Sequence, residues 1–249
     1  MLDAPAMFGF FDGSFAAAAA VSVAAGVVRG FTGFGSAMLM APPLSALYTP
    51  AIAIPMITVM ELGVGLTLLP RAVPVAKWPT VLRLAAAALL GIPAGAALLV
   101  TVPGMYMRWA ISAAIILAVV LLALGIGRKG EATPAGTYAT GALSGLTSGA
   151  VGMGGPPVVI YYLAGRDPAA EIRASLICFF VATAVIQTVT YALNGILTAD
   201  NGVKGLILLP SFVIGSVVGA RLFRNSREQV YRKAAMGLVT VVAVLSLTV

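Results

Sequence analysis

The residues best suited to chemistry in this chain are an arginine and a glutamate set among apolar neighbours, Arg29 and Glu61. Arg29 stands in GVVRGFTGFGS, residues 26–36, inside a run of glycines at Gly26, Gly30, Gly33 and Gly35. A guanidinium keeps its charge at any physiological pH and can hold an oxyanion with two parallel hydrogen bonds. A charge at membrane depth is costly and by default marks function. A structural arginine, tied to carbonyls at a helix break or to Glu61, would fit the same pattern. Glu61 shares a helical face with Thr58 and Gly65. A carboxylate there is a candidate proton carrier, because desolvation favours its neutral form and a nearby arginine its ionised form. A permanent ion pair with Arg29 is the alternative.

The glycine run recurs. GLTSGAVGMGG, residues 145–155, repeats it at Gly145, Gly149, Gly152 and Gly154, at a constant offset of 119 residues. The chain is therefore a duplication. Thr32 and Ser36 accompany the first copy, Thr147 and Ser148 the second, and the position of Arg29 is taken by Ser148. Glycine weakens a helix and lets it turn, and broken helix is tolerated at membrane depth only where it lines a cavity or is enclosed by protein. At such a break the N-terminus of the following helix offers free N–H groups and a positive dipole end, both favourable to an anion. Glycines four apart also let helices pack closely, which is the competing reading for Gly26 with Gly30 and for Gly145 with Gly149. Further along, Thr183, Gln187, Tyr191 and Asn194 follow at helical spacing. That polar stripe faces either the cavity or the polar groups of a neighbouring helix.

A membrane-spanning scaffold must position these groups. Of 249 residues, 60% are hydrophobic and 9% charged, with a mean hydropathy of +1.04, against about 25% charged in soluble proteins. The formal charge of +7 comes from Lys and Arg in short gaps between apolar runs, which is the placement of the positive-inside rule and not of a nucleic-acid binder. With no His and a single Cys178, neither a disulfide nor a Cys/His metal site is available, and no cofactor is expected. The absence of a phosphate-binding loop, of G-x-S-x-G and of paired carboxylates in a span argues against an ATPase or an intramembrane protease. Asp3 and Asp12, with no Lys or Arg, precede the first apolar stretch, the reverse of a signal peptide, so no cleavage is expected.

Apolar stretches near 51–70, 84–101, 108–126, 174–193, 203–221 and 232–249 are each long enough to cross a bilayer core of about 30 Å. The glycine-interrupted stretches 14–48 and 137–163 are either kinked spans or hairpins of two short half-helices. Charge decides between these. If each returns to its own side, Arg108 and Lys204 face twelve other Lys and Arg residues, leaving Arg29 aside; if each crosses once, no bias remains. The expectation is an all-α polytopic membrane protein, one membrane domain over 1–249, with both termini outside the cytoplasm. It is built of two inverted repeats, 14–126 and 137–249, each a glycine-broken helix or re-entrant hairpin plus three transmembrane helices. Arg173 with Glu171 reads as a helix-end pair. The run Arg221, Arg224, Arg227, Arg232 and Lys233 reads as a topology determinant that also contacts anionic lipid.

GVVRGFTGFGS, followed by a proline-bearing apolar run, and SGLTSGAVGMGGPPVVIYYLAG, followed by IRASL, resemble the sulfite exporter TauE/SafE family, also called the toluene sulfonate uptake permeases, over nearly the whole chain. The resemblance implies a secondary transporter of sulfite or small organosulfonates in the bacterial inner membrane, coupled to protons or membrane potential, and not an enzyme. An anion channel or a carboxylate transporter is the alternative. By similarity the translocation region maps onto Gly30 to Ser36 and Gly149 to Gly155. The expected substrate contacts are Arg29, Gly30, Thr32, Gly33, Phe34, Gly35 and Ser36 from the first copy. The second copy adds Thr147, Ser148, Gly152, Met153, Gly154 and Gly155, and the stripe adds Gln187 and Tyr191; Glu61 is the proton-coupling candidate. The partners are the anion and membrane lipid, with no nucleic acid; a homodimer is allowed but not required.

Overall fold

The computed structural model describes residues 13–103, 133–163 and 167–227, and individually 105, 106, 109, 113, 165, 230, 231, 234 and 237. The described chain forms eight helices: α1 Gly13–Thr32, α2 Ser36–Tyr48, α3 Pro50–Ala72, α4 Trp78–Thr101, α5 Pro134–Val151, α6 Gly155–Leu163, α7 Ala169–Leu193 and α8 Ala199–Arg224. Five of them, α1, α3, α4, α7 and α8, are long and apolar enough to cross a membrane. The expected spans 51–70, 84–101, 174–193 and 203–221 lie inside α3, α4, α7 and α8. Spans 108–126 and 232–249 fall outside the continuously described residues. Local chemistry sets the helix starts: Pro79 enters the first turn of α4, where its missing N–H costs nothing. Thr198 caps α8 reciprocally with Asn201.

Both interrupted stretches are helical hairpins. Gly33 and Gly35 adopt φ of 82° and 86° between α1 and α2, and Gly152 adopts 73° between α5 and α6, a left-handed conformation that glycine takes without penalty. At the open end of the first hairpin the Ser14 and Tyr48 hydroxyls lie 3.4 Å apart, and in the second Thr137 and Tyr161 are 2.9 Å apart. Of the legs, only the second in each hairpin is the short half-helix expected. The legs run to 20 and 13 residues in the first hairpin and 18 and 9 in the second, because the break falls late in each stretch, after an uninterrupted Ala/Val- or Gly/Thr-bearing helix.

The first two glycines of each run are taken up by helix packing. A Cβ on Gly26 or Gly30 would lie 2.3 Å from the Phe212 carbonyl oxygen or 1.9 Å from that of Ser216. Reciprocally, Gly215 and Gly219 meet Val23 and Val27 oxygens at 2.2 and 2.0 Å. Contacts advance together along both helices, so α1 and α8 run parallel with backbones touching. The same arrangement joins α4 to α5, where Gly91 and Gly95 face Ala142 and Leu146 while Gly145 and Gly149 face Ala88 and Ile92. Interhelical dispersion between small residues, not apolar burial, holds such pairs together in lipid. Helices α3 and α7 pack on each other between these pairs, with α8 also on α3 and α4 also on α7.

At one end of the molecule the loop after α3 meets the start of α7. The Lys77 ammonium lies 2.6 Å from Asp167 and 3.7 Å from Glu171, and its backbone N–H donates to Ser175 at 2.9 Å. The Asp167 hydrogen bond outweighs partial burial and, with the charges of Asp167 and Glu171, raises the Lys77 ammonium above its ordinary value. A raised value makes this contribution full at neutral pH and loses it only as pH climbs into the alkaline range. Glu171 thus faces Lys77, and the expected Glu171–Arg173 pair does not form. Arg173 turns the other way and donates to the Gly30 and Phe31 carbonyls at 2.5 and 3.1 Å, filling the otherwise orphaned acceptors at the end of α1.

Candidate functional site

The two hairpin tips meet at a partly open cavity of about 50 Å³ between α3 and α7. A water needs about 10–15 Å³ by this measure, so the space suits on the order of three or four waters, the scale of a small oxyanion. From the first tip come Arg29, Gly35 and Ser36, from the second Gly152, Met153, Gly154 and Gly155, from α3 Thr58 and Glu61, and from α7 Phe180, Thr183 and Gln187.

Arg29 is 2% exposed. Its Nη1 donates to the Gly33 carbonyl at 2.8 Å, fixing the break, and its Nε lies 3.3 Å from Glu61 Oε2. That distance makes an ion pair without hydrogen-bond alignment, and neither Nε nor Nη2 has a hydrogen-bond partner. The guanidinium carbon sits 5.0 Å from the centre of the Phe180 ring, within cation–π range. Glu61, 14% exposed, accepts from the Ser36 hydroxyl. Both bland contacts that sequence allows for Arg29, a carbonyl at the break and Glu61, are therefore present, and donor capacity remains.

The first turn of α2 opens onto the same cavity. Its N-cap is Gly35, with no side-chain cap, and Ser36, Ala37 and Met38 line the wall, so first-turn N–H groups without intrahelical acceptors lie beside Arg29. Helix α6 brings Gly155, its first residue, to the opposite wall. At the second tip the approach is tight: a Cβ on Gly154 would come 2.2 Å from Ser148 Oγ, and Ser144 Oγ donates to the Gly154 carbonyl at 2.5 Å.

Other candidates serve the frame. Gly30 packs on α8 and a Gly33 Cβ would press 3.0 Å from the Arg173 carbonyl oxygen. Phe34 is buried in the core. Thr32 bonds to the Val28 and Phe34 carbonyls at 2.8 and 2.7 Å. Thr147 bonds back to Leu143 and Ser144 at 3.0 and 3.1 Å, and Ser148 backs the second tip. The stripe divides. Thr183 and Gln187 reach the cavity, Tyr191 donates to the Gly149 carbonyl at 2.7 Å, and Asn194 bonds to its own helix at Thr190. Gln187 also donates to the Ser148 carbonyl at 2.8 Å. One helix, α7, thus satisfies the ends of both broken helices, α1 through Arg173 and α5 through Gln187 and Tyr191. Gly65 faces Val181 of α7 instead of the cavity.

Sequence reading passed over Phe180 and this role of Arg173. Phe180 stands three and seven residues before Thr183 and Gln187, on their face of the helix, and it occupies the place of Glu61 in the second copy at the same 119-residue offset. The signal was available in the periodicity.

A bundle of long apolar helices folded about two glycine-broken hairpins, with a buried cation where their tips meet, defines a multi-pass membrane protein with a polar centre. The chain belongs to the TauE/SafE sulfite exporter family: the profile described as Sulfite exporter TauE/SafE matches residues 18–246. The chain is also similar to the "Probable sulfite/organosulfonate exporter TauE" of Cupriavidus necator, with 30% identity over 112 residues. That match spans 45% of this chain and 43% of the relative, less than half of either. No solved structure matches the chain.

Proposed function

We propose that the protein is a secondary transporter that carries a small sulfur oxyanion, sulfite or a compact sulfonate, through the cavity at Arg29. The observation that carries this reading is a guanidinium 2% exposed, with Nη2 unpartnered, on the wall of a small cavity between the two hairpin tips. An orphaned buried donor is expensive, and an anion at that place would satisfy it. The α2 N-terminus adds favourable dipole and N–H groups. A volume of about 50 Å³ favours sulfite or methanesulfonate over an aryl sulfonate.

The topology proposed with it is two inverted repeats whose hairpins re-enter from opposite faces. Support comes from the packing, in which exchanging α1 for α5 and α4 for α8 reproduces the same partners. The gathering of Arg71, Lys77, Arg173, Arg221, Arg224 and Arg227 at one end also supports it. In a Cys178→Ala background, cysteines at positions 76 and 226 are expected to be protected from an impermeant reagent added outside intact cells, and one at 198 to be labelled. Opposite accessibility of 76 and 226 would sink this topology.

Coupling to protons is assigned to Glu61. A carboxylate 3.3 Å from Arg29 Nε competes with an incoming anion, so anion binding and protonation of Glu61 favour each other. Methanesulfonate, whose own charge does not change near neutrality, is expected to bind more tightly as pH falls, and Glu61→Gln to bind with no such pH dependence and without stimulation by a pH gradient. Undiminished pH dependence in Glu61→Gln would remove the role. Transport itself is tested by sulfite counterflow in proteoliposomes, with single-channel currents the result that would favour a channel.

A further inference from the structure

A second chamber, of about 1020 Å³, opens at the end of the molecule where α3 and α8 finish and α7 begins. Five arginines face it: Arg71 from α3, Arg173 from α7, Arg221 and Arg224 from α8, and Arg227 just beyond. Among the described residues no aspartate or glutamate lines it. Among the described residues none of the five forms an ion pair with a carboxylate; the four acidic partners that do form pairs serve Arg29, Lys77 and Lys204. Arg71, Arg221, Arg224 and Arg227 are exposed. A concave wall with one sign of charge concentrates counter-ions and raises their encounter rate.

The chamber lies further along the same two helices, α3 and α7, that wall the Arg29 cavity. On α3, Glu61 lines the cavity and Thr67 the chamber; on α7, Phe180 lines the cavity and Arg173 the chamber. Six or seven residues at about 1.5 Å each separate the two spaces by roughly 10 Å. The partition between them is the last turn of α1. Arg173 holds the Gly30 and Phe31 carbonyls, Tyr231 donates to the Thr32 carbonyl at 3.0 Å, and the guanidinium of Arg173 rests 4.5 Å from the centre of the Phe223 ring. Arg173, Phe223 and Tyr231 are also chamber walls. The side chains that close the chamber are thus those that hold the turn carrying Arg29.

We propose that this chamber is a second anion subsite, which collects the small sulfur oxyanion at the basic end and delivers it to the Arg29 cavity. The inference rests on the transport reading above. Topology alone asks only for basic residues in loops on one side; it does not ask that they line one cavity, with no carboxylate partner among the described residues, about two turns along the helices that hold the Arg29 site. Guanidinium groups open to water bind loosely, so the subsite sets the rate of arrival and not the final affinity.

The test is radiolabelled sulfite binding to the purified full chain in nanodiscs, with association and dissociation rates measured at low and high salt. The variant Arg221→Gln/Arg224→Gln/Arg227→Gln leaves Arg29 and Arg173 in place and changes only exposed side chains. Its association rate is expected to fall about tenfold at low ionic strength, with dissociation unchanged and the salt dependence flattened. Equal association rates and equal salt dependence in wild type and variant overturn the subsite and leave the Arg29 site standing. Loss of co-purified phosphatidylglycerol from the variant with unchanged sulfite rates overturns it in favour of a lipid headgroup. If the wild-type chain binds neither sulfite nor methanesulfonate, the transport reading falls and the subsite with it.

Discussion

A chain carrying Arg29→Gln together with Glu61→Gln is expected to fold and to bind no sulfite. The double change is needed because the two side chains are 3.3 Å apart and buried. Removing only the arginine would strand a carboxylate, at about 3–5 kcal/mol for a broken buried pair, and a binding defect could then be confused with a folding one. The glutamine of Glu61→Gln is isosteric with the glutamate it replaces, and that of Arg29→Gln, two heavy atoms shorter than arginine, leaves an uncharged amide where the guanidinium stood. What they lack is the full positive charge, and truncating one partner of a desolvated charge pair costs about 2–5 kcal/mol, from about thirtyfold to several thousandfold in Kd. The α2 N-terminus supplies at most about 2 kcal/mol when partly buried and cannot replace it. Arg29→Lys retains the charge without the planar fork and should bind weakly. Thermal melting establishes the fold and labelled sulfite the affinity; near-wild-type binding by the folded double variant would return Arg29 to a purely structural role.

The second large effect is on the fold itself. Gly30→Val is expected to leave no folded protein, and Gly30→Ala to destabilise by about 3 kcal/mol or more, the upper end of overpacking. The added Cβ would stand 1.9 Å from the Ser216 carbonyl oxygen and 2.8 Å from the Ala220 nitrogen. Both neighbours are backbone, so no side chain can rotate away and α1 must leave α8. Gly202→Ala, near the start of α8 and away from the α1 seam, is the control. Its Cβ would meet only a Leu197 methyl at 3.9 Å, and alanine's better helix propensity makes it neutral or stabilising by up to about 1 kcal/mol. Equal melting points for the two alanine variants would show that the α1–α8 contact is not close-packed.

The long spans and the two breaks were legible because apolar length and glycine clusters are local signals. The meeting of Arg29 and Glu61 was legible because a charge in lipid requires an explanation, and these two are the charges in the first half that lie deep within apolar runs. What the sequence did not separate were two uses of glycine in one motif. Gly30 and Gly35 differ in role because one faces α8 and the other turns the chain at φ 86°, and the partner that decides this lies nearly two hundred residues away. Arg173 was misassigned for the same reason. Its neighbour Glu171 is the nearest opposite charge in sequence, while the carbonyls it caps belong to α1.

Close pairing of α1 with α8 and of α4 with α5 has a mechanical meaning. Each pair joins a helix from the first half of the chain to one from the second, through backbones in contact along several turns. The halves are interlocked, like two clasped hands, and cannot rock against each other as separate rigid bodies. The units free to move are composite: one hairpin with the long helix of the other half to which its glycines bind it. Any motion that opens the Arg29 cavity toward either side must hinge where these composites meet, along α3 and α7, and it carries one hairpin tip away from the other while leaving both glycine seams shut.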